Sequence, residues 1–377
     1  MKIKNKEINI ISGWYGPNNF GDEAILEAII EQLENDEGLN RGSIVVFSLI
    51  KSKTKELFPN QKVVKQFPND IKEFIKSVLT LDLFVTTYYL CRAKRLYVGG
   101  GGFLSDWQSN NFGWLLQIII AKLTGAKCKL WGVGIGPFNR TIPTKLASWC
   151  FNNFIDSAYV RDEVSYKELS QKLHFKKDIL VKADPVATMT TQGYRRELAD
   201  DSKRIVFIPA YYFKNKKFKS ETNRWNDLLM NYCKTVKFIV DKGFIVDIVF
   251  FQPSVESNLK EEILRKLTEI DCHTGFEFSF LNSHREAFCL MGKSLGVISF
   301  RLHGNIMAYA IEKPFLPIIY HFKSEEFLSM VNKADIEKIL VGDGVHLRKT
   351  DMSFEDSWQP QIHRFLDGFR DESSICY

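Results

Sequence analysis

Residues Glu7–Asn35, EINIISGWYGPNNFGDEAILEAIIEQLEN, run from an apolar strand through a loop of glycine, proline and asparagine into a helix. Glu7 to Gly13 is the strand. From Gly21 onward apolar side chains recur at 25, 26, 29, 30 and 33, a helical period. A strand that meets a helix over so short a turn is half of a βαβ unit, and the pattern repeats along the chain. Ser43–Ile50, Lys62–Phe67, Arg95–Gly100, Lys129–Gly136 and Ser157–Arg161 read as further strands, with a long helical stretch before Arg95. A second series holds strands at Arg204–Ala210, Ile245–Phe251, Gly296–Phe300 and Phe315–Tyr320, with a long helix at Glu221–Lys242. The polar, glycine-containing stretch Thr188–Lys203 separates the two and reads as a linker. The expectation is an α/β protein of two Rossmann-like domains facing a cleft, residues 1–190 and 204–345. An amphipathic tail, 346–377, would pack back across them.

Size and composition agree. The 377 residues exceed one ordinary core, and 45% hydrophobic with 25% charged residues is a globular balance. The 51 basic and 45 acidic residues leave a net charge of +6, spread without a dense basic block, so nucleic acid is not an expected partner. Seven cysteines (91, 128, 150, 233, 272, 289 and 376) show no CxxC spacing and read as reduced thiols of a cytosolic protein. The opening residues do not resemble a signal peptide. The nearest approach to a membrane span, Ile71–Cys91, is interrupted by Lys72, Glu73, Lys76 and Asp82. The apolar and basic stretch Phe74–Arg95 suggests a face for peripheral membrane contact; the plainer reading is a helix buried in the first domain.

Open parallel sheets bind ligands beyond the carboxyl ends of their strands, so the strand ends decide the chemistry. The first carries Asn19, Gly21 and Asp22 at a helix start, where bare amides favour an anion or polar ligand; turn and capping chemistry would explain them equally well. Gly99–Gly102, followed by Ser105 and Asp106, lets a ligand or another backbone approach closely at Gly100, Gly101 and Gly102. Gly132-Val-Gly-Ile-Gly136 repeats the theme. Arg161 ends a strand and could clamp a carboxylate or phosphate, or pair with Asp162 or Asp184. The densest element is Phe300-Arg301-Leu302-His303-Gly304-Asn305: a permanent cation, a titratable imidazole and a helix start in one small volume. Tyr320 and Lys323 follow the next strand. Histidines 174, 273, 284, 321, 346 and 363 lack metal-ligand spacing and read as structural. The dinucleotide fingerprint is absent, which argues against an oxidoreductase.

Taken in order, GPNNFGDEAI, GGGGFLSD, GVGIGP, VRDEVS, ADP and RLHGNIMAYAIEKP resemble the polysaccharide pyruvyl transferase family from about Gly13 to Lys323. One position departs: Val133 stands inside GVGIGP where the family often has a polar residue, commonly Gln. The resemblance implies a glycosyltransferase-B-like fold and phosphoenolpyruvate as donor. The product would be a pyruvate ketal on two hydroxyls of a sugar in a cell-surface polysaccharide or its lipid-linked precursor. Carried over residue by residue, Arg161, Arg301, Leu302 (through its backbone) and His303 hold the donor, with Lys323 nearby. His303 is the expected proton donor, and Asp22 or Asp106 would serve the sugar hydroxyls. No cofactor is required and no metal site is evident. Two other readings stay open: a nucleotide-sugar glycosyltransferase using Glu312 as a ribose-binding carboxylate, and a non-catalytic glycan-binding protein.

Overall fold

The computed structural model describes residues 7–106, 112–191, 193–194, 203–211, 222–341 and 353–371. His346, Cys376 and, within the expected linker, residues 192 and 195–202 lie outside them. The chain divides into two compact units, Met1–Met189 and Thr190–Tyr377.

In the first unit the elements follow as β1 (Ile8–Ser12), α1 (Phe20–Asn35), β2 (Ile44–Ser48), α2 (Lys51–Leu57), β3 (Lys62–Lys65), α3 (Ile71–Leu79), α4 (Asp82–Arg92) and β4 (Ala93–Gly99). Then come α5 (Phe112–Leu123), β5 (Lys127–Val133), α6 (Thr141–Phe154), β6 (Ser157–Val160), α7 (Glu163–Lys167) and β7 (Ile179–Val181). The seven strands form one sheet in the order β3-β2-β1-β4-β5-β6-β7, with every pairing parallel. Strands buried on both faces must be apolar throughout, and Ile10, opposite Val45 on one side and Leu96 on the other, shows why. In α1, Ile25, Leu26, Ile29, Ile30 and Leu33 are all buried, the face that the periodicity marked. The helical stretch before β4 is not continuous. It breaks at Leu81, which has φ +61°, into α3 and α4, bent by 91°.

The second unit contains β8 (Arg204–Ile208), α8 (Thr222–Asp241), β9 (Ile245–Val249), α9 (Pro253–Glu269), β10 (Phe276–Ser279), α10 (His284–Gly292), β11 (Gly296–Ser299) and α11 (Leu302–Ala310). It ends with β12 (Phe315–Ile319), α12 (Phe322–Met330), β13 (Ile339–Leu340) and α13 (Gln359–Asp371). Its six parallel strands are ordered β10-β9-β8-β11-β12-β13. Strands β7, β10 and β13 are too short or too exposed to stand out in the sequence. Trp358, Ile362 and Leu366 of the tail are buried in the core formed with Tyr232 and Val236 of α8.

Both sheets reverse direction of growth once, between β1 and β4 in the first unit and between β8 and β11 in the second. Such a switch point leaves a crevice at the carboxyl edge of the sheet. The glycine loops after β1 and β4 stand at the first, and the Arg-x-His element after β11 stands at the second.

Candidate functional site

At the first switch point the two glycine loops touch. A Cβ on Gly13 would lie 2.3 Å from the Gly99 carbonyl oxygen, and the Tyr15 hydroxyl donates to that same oxygen at 2.7 Å. Gly100 and Gly101 have φ of +79° and +75°, so glycine is required there by conformation as well as by crowding. A Cβ on Gly101 would lie 2.9 Å from Asp22 Oδ1. Asp22 accepts from the Asn19 side-chain amide at 2.7 Å through Oδ2, while Asn19 caps α1 by accepting from the Gly21 N–H. Asn19, Gly21, Asp22, Gly100 and Gly101 are therefore one cluster. Gly102 continues the same loop and is half-buried.

Asp106 lies elsewhere. Its carboxylate accepts from the backbone amides of Asn139 and Arg140, and its own N–H donates to Pro137 O, so it fastens the loop that leads into α6. Val133 is fully buried within the core of the sheet and makes its contribution by packing.

One residue of this cluster escaped the sequence reading. Glu23, beside Asp22, is 1% exposed and accepts from the Gly16 N–H through Oε1 at 2.8 Å. Its Oε2 is buried without a hydrogen-bond partner. Burial, which outweighs the Gly16 hydrogen bond and is reinforced by the charge of Asp22, pushes its carboxyl up to about 7. The acidic pair at a helix start was visible in GDE, but nothing in the string showed which of the two would be enclosed.

Arg161 sits at the end of β6 and is buried. Its Nη1 lies 2.8 Å from Asp184 Oδ2 and its Nε 3.9 Å from Asp162 Oδ2. The guanidinium lies against Gly134, whose hypothetical Cβ would approach Nε to 3.1 Å, so the second glycine of GVGIG makes room for it. Both carboxylates weighed as partners in the sequence are present, and Asp184 is the nearer.

In the second unit α11 begins three residues before the expected start at Asn305, so Leu302 and His303 lie in its first turn and Arg301 is its N-cap. The turn is held by Ser299, whose hydroxyl accepts from Arg301 N–H at 3.1 Å and donates to Arg301 O at 2.9 Å. Gly304 permits this: a Cβ there would fall 2.2 Å from Ser299 Oγ and 2.8 Å from Ile208 Cδ1. Ser283 caps α10 and His321 caps α12 through its Nδ1, which accepts from the Lys323 N–H at 3.3 Å. α11 has no side-chain cap, and α2, α4, α6 and α9 share that feature. Uncapped first-turn amides and the positive end of a helix dipole favour an anion.

The arginine is aimed by a residue that the sequence did not single out. Glu256, in the first turn of α9, is fully buried. Its Oε1 accepts from Arg301 Nε at 3.1 Å and also from Nη2, while Oε2 accepts from the Gln252 N–H at 2.9 Å. Gln252 Oε1 accepts from Arg301 Nη2 at 3.4 Å. Burial works against the arginine's charge, but Glu256 and the neighbouring tyrosines Tyr320 and Tyr232 raise its pKa further. Tyr320 stacks on Phe300 with ring centroids 4.3 Å apart, and Tyr232 hydrogen-bonds Ala210 O at 3.2 Å. Burial raises the pKa of both phenols. Gln252-Pro-Ser-Val-Glu256 is a readable helix start after β9; that it meets residue 301 is a property of strand order alone.

Glu312 stands at the other end of α11, exposed, with φ +58°. It is about 15 Å along the helix from Arg301 at 1.5 Å per residue. Of the remaining histidines, His284 is buried in α10 and His363 pairs with Asp367 at 2.6 Å.

A family model described as polysaccharide pyruvyl transferase matches residues 19–321. No curated protein matches the sequence. Solved structures are similar over nearly the whole chain. A UDP-GlcNAc 2-epimerase from Methanocaldococcus jannaschii is 12% identical with a TM-score of 0.56, covering 96% of this chain and 91% of its own. The UDP-GlcNAc 2-epimerase from Neisseria meningitidis bound to UDP-GlcNAc is 14% identical with a TM-score of 0.53, covering 98% and 91%. A glycosyltransferase from Rickettsia africae is 12% identical with a TM-score of 0.51, covering 98% and 97%. At these identities the likeness shows the fold, that of glycosyltransferase-B-like proteins built from two Rossmann-like domains.

Proposed function

The chain belongs to the polysaccharide pyruvyl transferase family, and from that premise we propose that it moves the pyruvyl group of phosphoenolpyruvate onto two hydroxyls of a sugar, closing a pyruvate ketal. The observation that carries the reading is the start of α11: an uncapped helix N-terminus beside an arginine oriented by a buried glutamate. Phosphoenolpyruvate is a small anion with a carboxylate and a phosphate, and it asks for such a cradle. Arg301 takes one anionic group through the edge of its guanidinium left by Glu256. The first-turn amides of α11, from Leu302 onward, take another, and Lys323 at the start of α12 supplies a second cation.

His303 then gives a proton to the methylene carbon of the donor, which makes C2 electrophilic. The first sugar hydroxyl attacks C2 and loses its proton to a base. The second hydroxyl attacks the same carbon, phosphate departs with the bonding pair of the C2–O bond, and the proton of that hydroxyl leaves with the phosphate. Two C–O bonds form and one breaks, and the products are the ketal and inorganic phosphate. Asp22 is the proposed base rather than Asp106, because the Asp106 carboxylate is already bound to two backbone amides. The acceptor in this proposal is a sugar of a lipid-linked oligosaccharide precursor of a cell-surface polysaccharide.

Glu312 follows the end of α11 opposite to Arg301 and His303. Calorimetry tests the donor: phosphoenolpyruvate should bind and a uridine or guanosine diphosphate sugar should not. Binding of the nucleotide sugar alone would overturn the proposal. Arg161→Ala in the same titration reads whether the first unit adds the donor contact that the family implies.

A further inference from the structure

Helix α3 and the outer face of α4 turn apolar side chains outward. Among the described side chains of α3 the buried one is Ser77, while Phe74, Ile75 and Leu79 are exposed, Leu79 to 79%. In α4 the buried positions are Thr86 and Leu90, while Phe84, Val85 and Tyr88 are exposed, Phe84 to 61%. Ser77 donates to Phe74 O, and Thr86 to Lys65 O and Asp82 O. The polar groups thus serve the backbone within the unit; α4 also buries Leu90 and packs Leu83 and Tyr89 against the core, while its other face is apolar and exposed. A helix on a water-exposed surface has the opposite arrangement. The plainer expectation, a helix buried in the first domain, is met by the inner face of α4 and not by the described residues of α3.

The corner between the helices points the same way. Leu81 is exposed and holds φ +61°, a conformation that costs a branched side chain energy and that asparagine or glycine would adopt freely. Folding gains nothing from a leucine there. On α6, which α5 joins to α4 in one layer, Ile142, Leu146 and Trp149 are exposed at helical spacing, so the apolar surface continues beyond the pair.

We propose that α3, the corner at Leu81 and α4 form a surface that docks on an anionic lipid bilayer, with the apolar side chains among the acyl chains. The charges choose the occupant. Lys72 and Lys76 are exposed on α3 beside the apolar side chains, and Arg92 lies over the Tyr88 ring at 5.4 Å, the mixture that settles at headgroup depth. The nearby acids are engaged: Asp70 caps α3, Glu73 accepts from the Asn69 N–H, and Asp82 accepts from the Thr80 hydroxyl. No single described helix is long and apolar enough to cross a membrane, and α3 and α4 together are bent by 91°. The surface therefore lies on the bilayer rather than through it.

The test is flotation of the full chain with vesicles of phosphatidylcholine alone or mixed with phosphatidylglycerol, at low and high salt. The chain should float with the mixed vesicles at low salt and less well at high salt. Leu79→Ser with Phe84→Ser, both exposed and checked by circular dichroism, should reduce partition about tenfold or more through lost apolar burial. Lys72→Gln with Lys76→Gln should remove the preference for anionic lipid. Absence of flotation at low salt, or a Leu79→Ser/Phe84→Ser variant that floats like the original chain, overturns the proposal. So does a dimer that these serines dissociate without any lipid binding. Flotation needs neither donor nor sugar, so its failure would leave the transfer chemistry untouched.

Discussion

Arg301 and Glu256 are joined by a hydrogen bond of 3.1 Å from Nε to Oε1, although 45 residues separate them in the chain. The glutamate is fully buried, whereas 23% of the arginine side chain reaches solvent. One member is thus a holder and the other is held. Arg301→Lys keeps the charge but loses the planar fork, and should weaken phosphoenolpyruvate binding by about 10–100-fold in a folded protein. Calorimetry with unchanged affinity would remove Arg301 from the donor site.

Glu256→Ala removes the holder and leaves a largely buried guanidinium unpaired. Stability should fall by on the order of 3 kcal/mol. Glu256→Gln keeps an oxygen for Arg301 and should lose much less. Equal melting temperatures for the two variants would mean that the ion pair does not support this corner of the fold.

His303→Gln retains a hydrogen-bond donor but cannot give up a proton. Under the proposed chemistry it should keep most of the donor affinity and lose about 10²–10⁴-fold in phosphate release. Near-normal turnover with both substrates saturating would assign the proton to another group.

Gly304→Ala puts a methyl group into the space of Ser299 Oγ and Ile208 Cδ1. Overpacking of this kind costs about 1–3 kcal/mol. Because Ser299 also holds the backbone of Arg301, the variant should lose donor affinity together with stability. A loss of stability alone would separate the packing of α11 from its binding role.

Glu23 sets a pH dependence. Its carboxyl is raised from 4.5 to about 7, so between these values the folded chain binds more protons than the unfolded one. Stability then falls as pH rises through this window and is level above it, by roughly 3 kcal/mol in all at 1.36 kcal/mol per pH unit. Glu23→Gln should remove that slope and be the more stable protein at pH 8. Parallel pH–stability curves for the two chains would show that Glu23 ionises normally.

The fold was legible because β1, β4, β8 and β11 are short apolar runs that enter glycine or helix-start signals, and parallel sheets leave few other solutions. The site was legible only where chemistry is compressed into neighbours, as in Arg301-Leu302-His303. Glu256 was not, because its partner comes from the far side of the switch point, and contacts set by strand order leave no trace in spacing. The start of α11 was misread by three residues because Arg-Leu-His carries none of the usual capping side chains. Helix α3 was misjudged since periodicity reports that a helix has two faces, not which one turns outward.

Cys128 and Cys150 are buried in the first unit and Cys233 in the second, and burial pushes each thiol up to about 12. A thiol so far from ionising is inert to alkylating reagents until the surrounding structure opens. These cysteines are therefore built-in clocks. With the half-buried Cys91 and Cys289 replaced by serine, pulse alkylation followed by mass spectrometry would time the opening of each unit separately, with no added label.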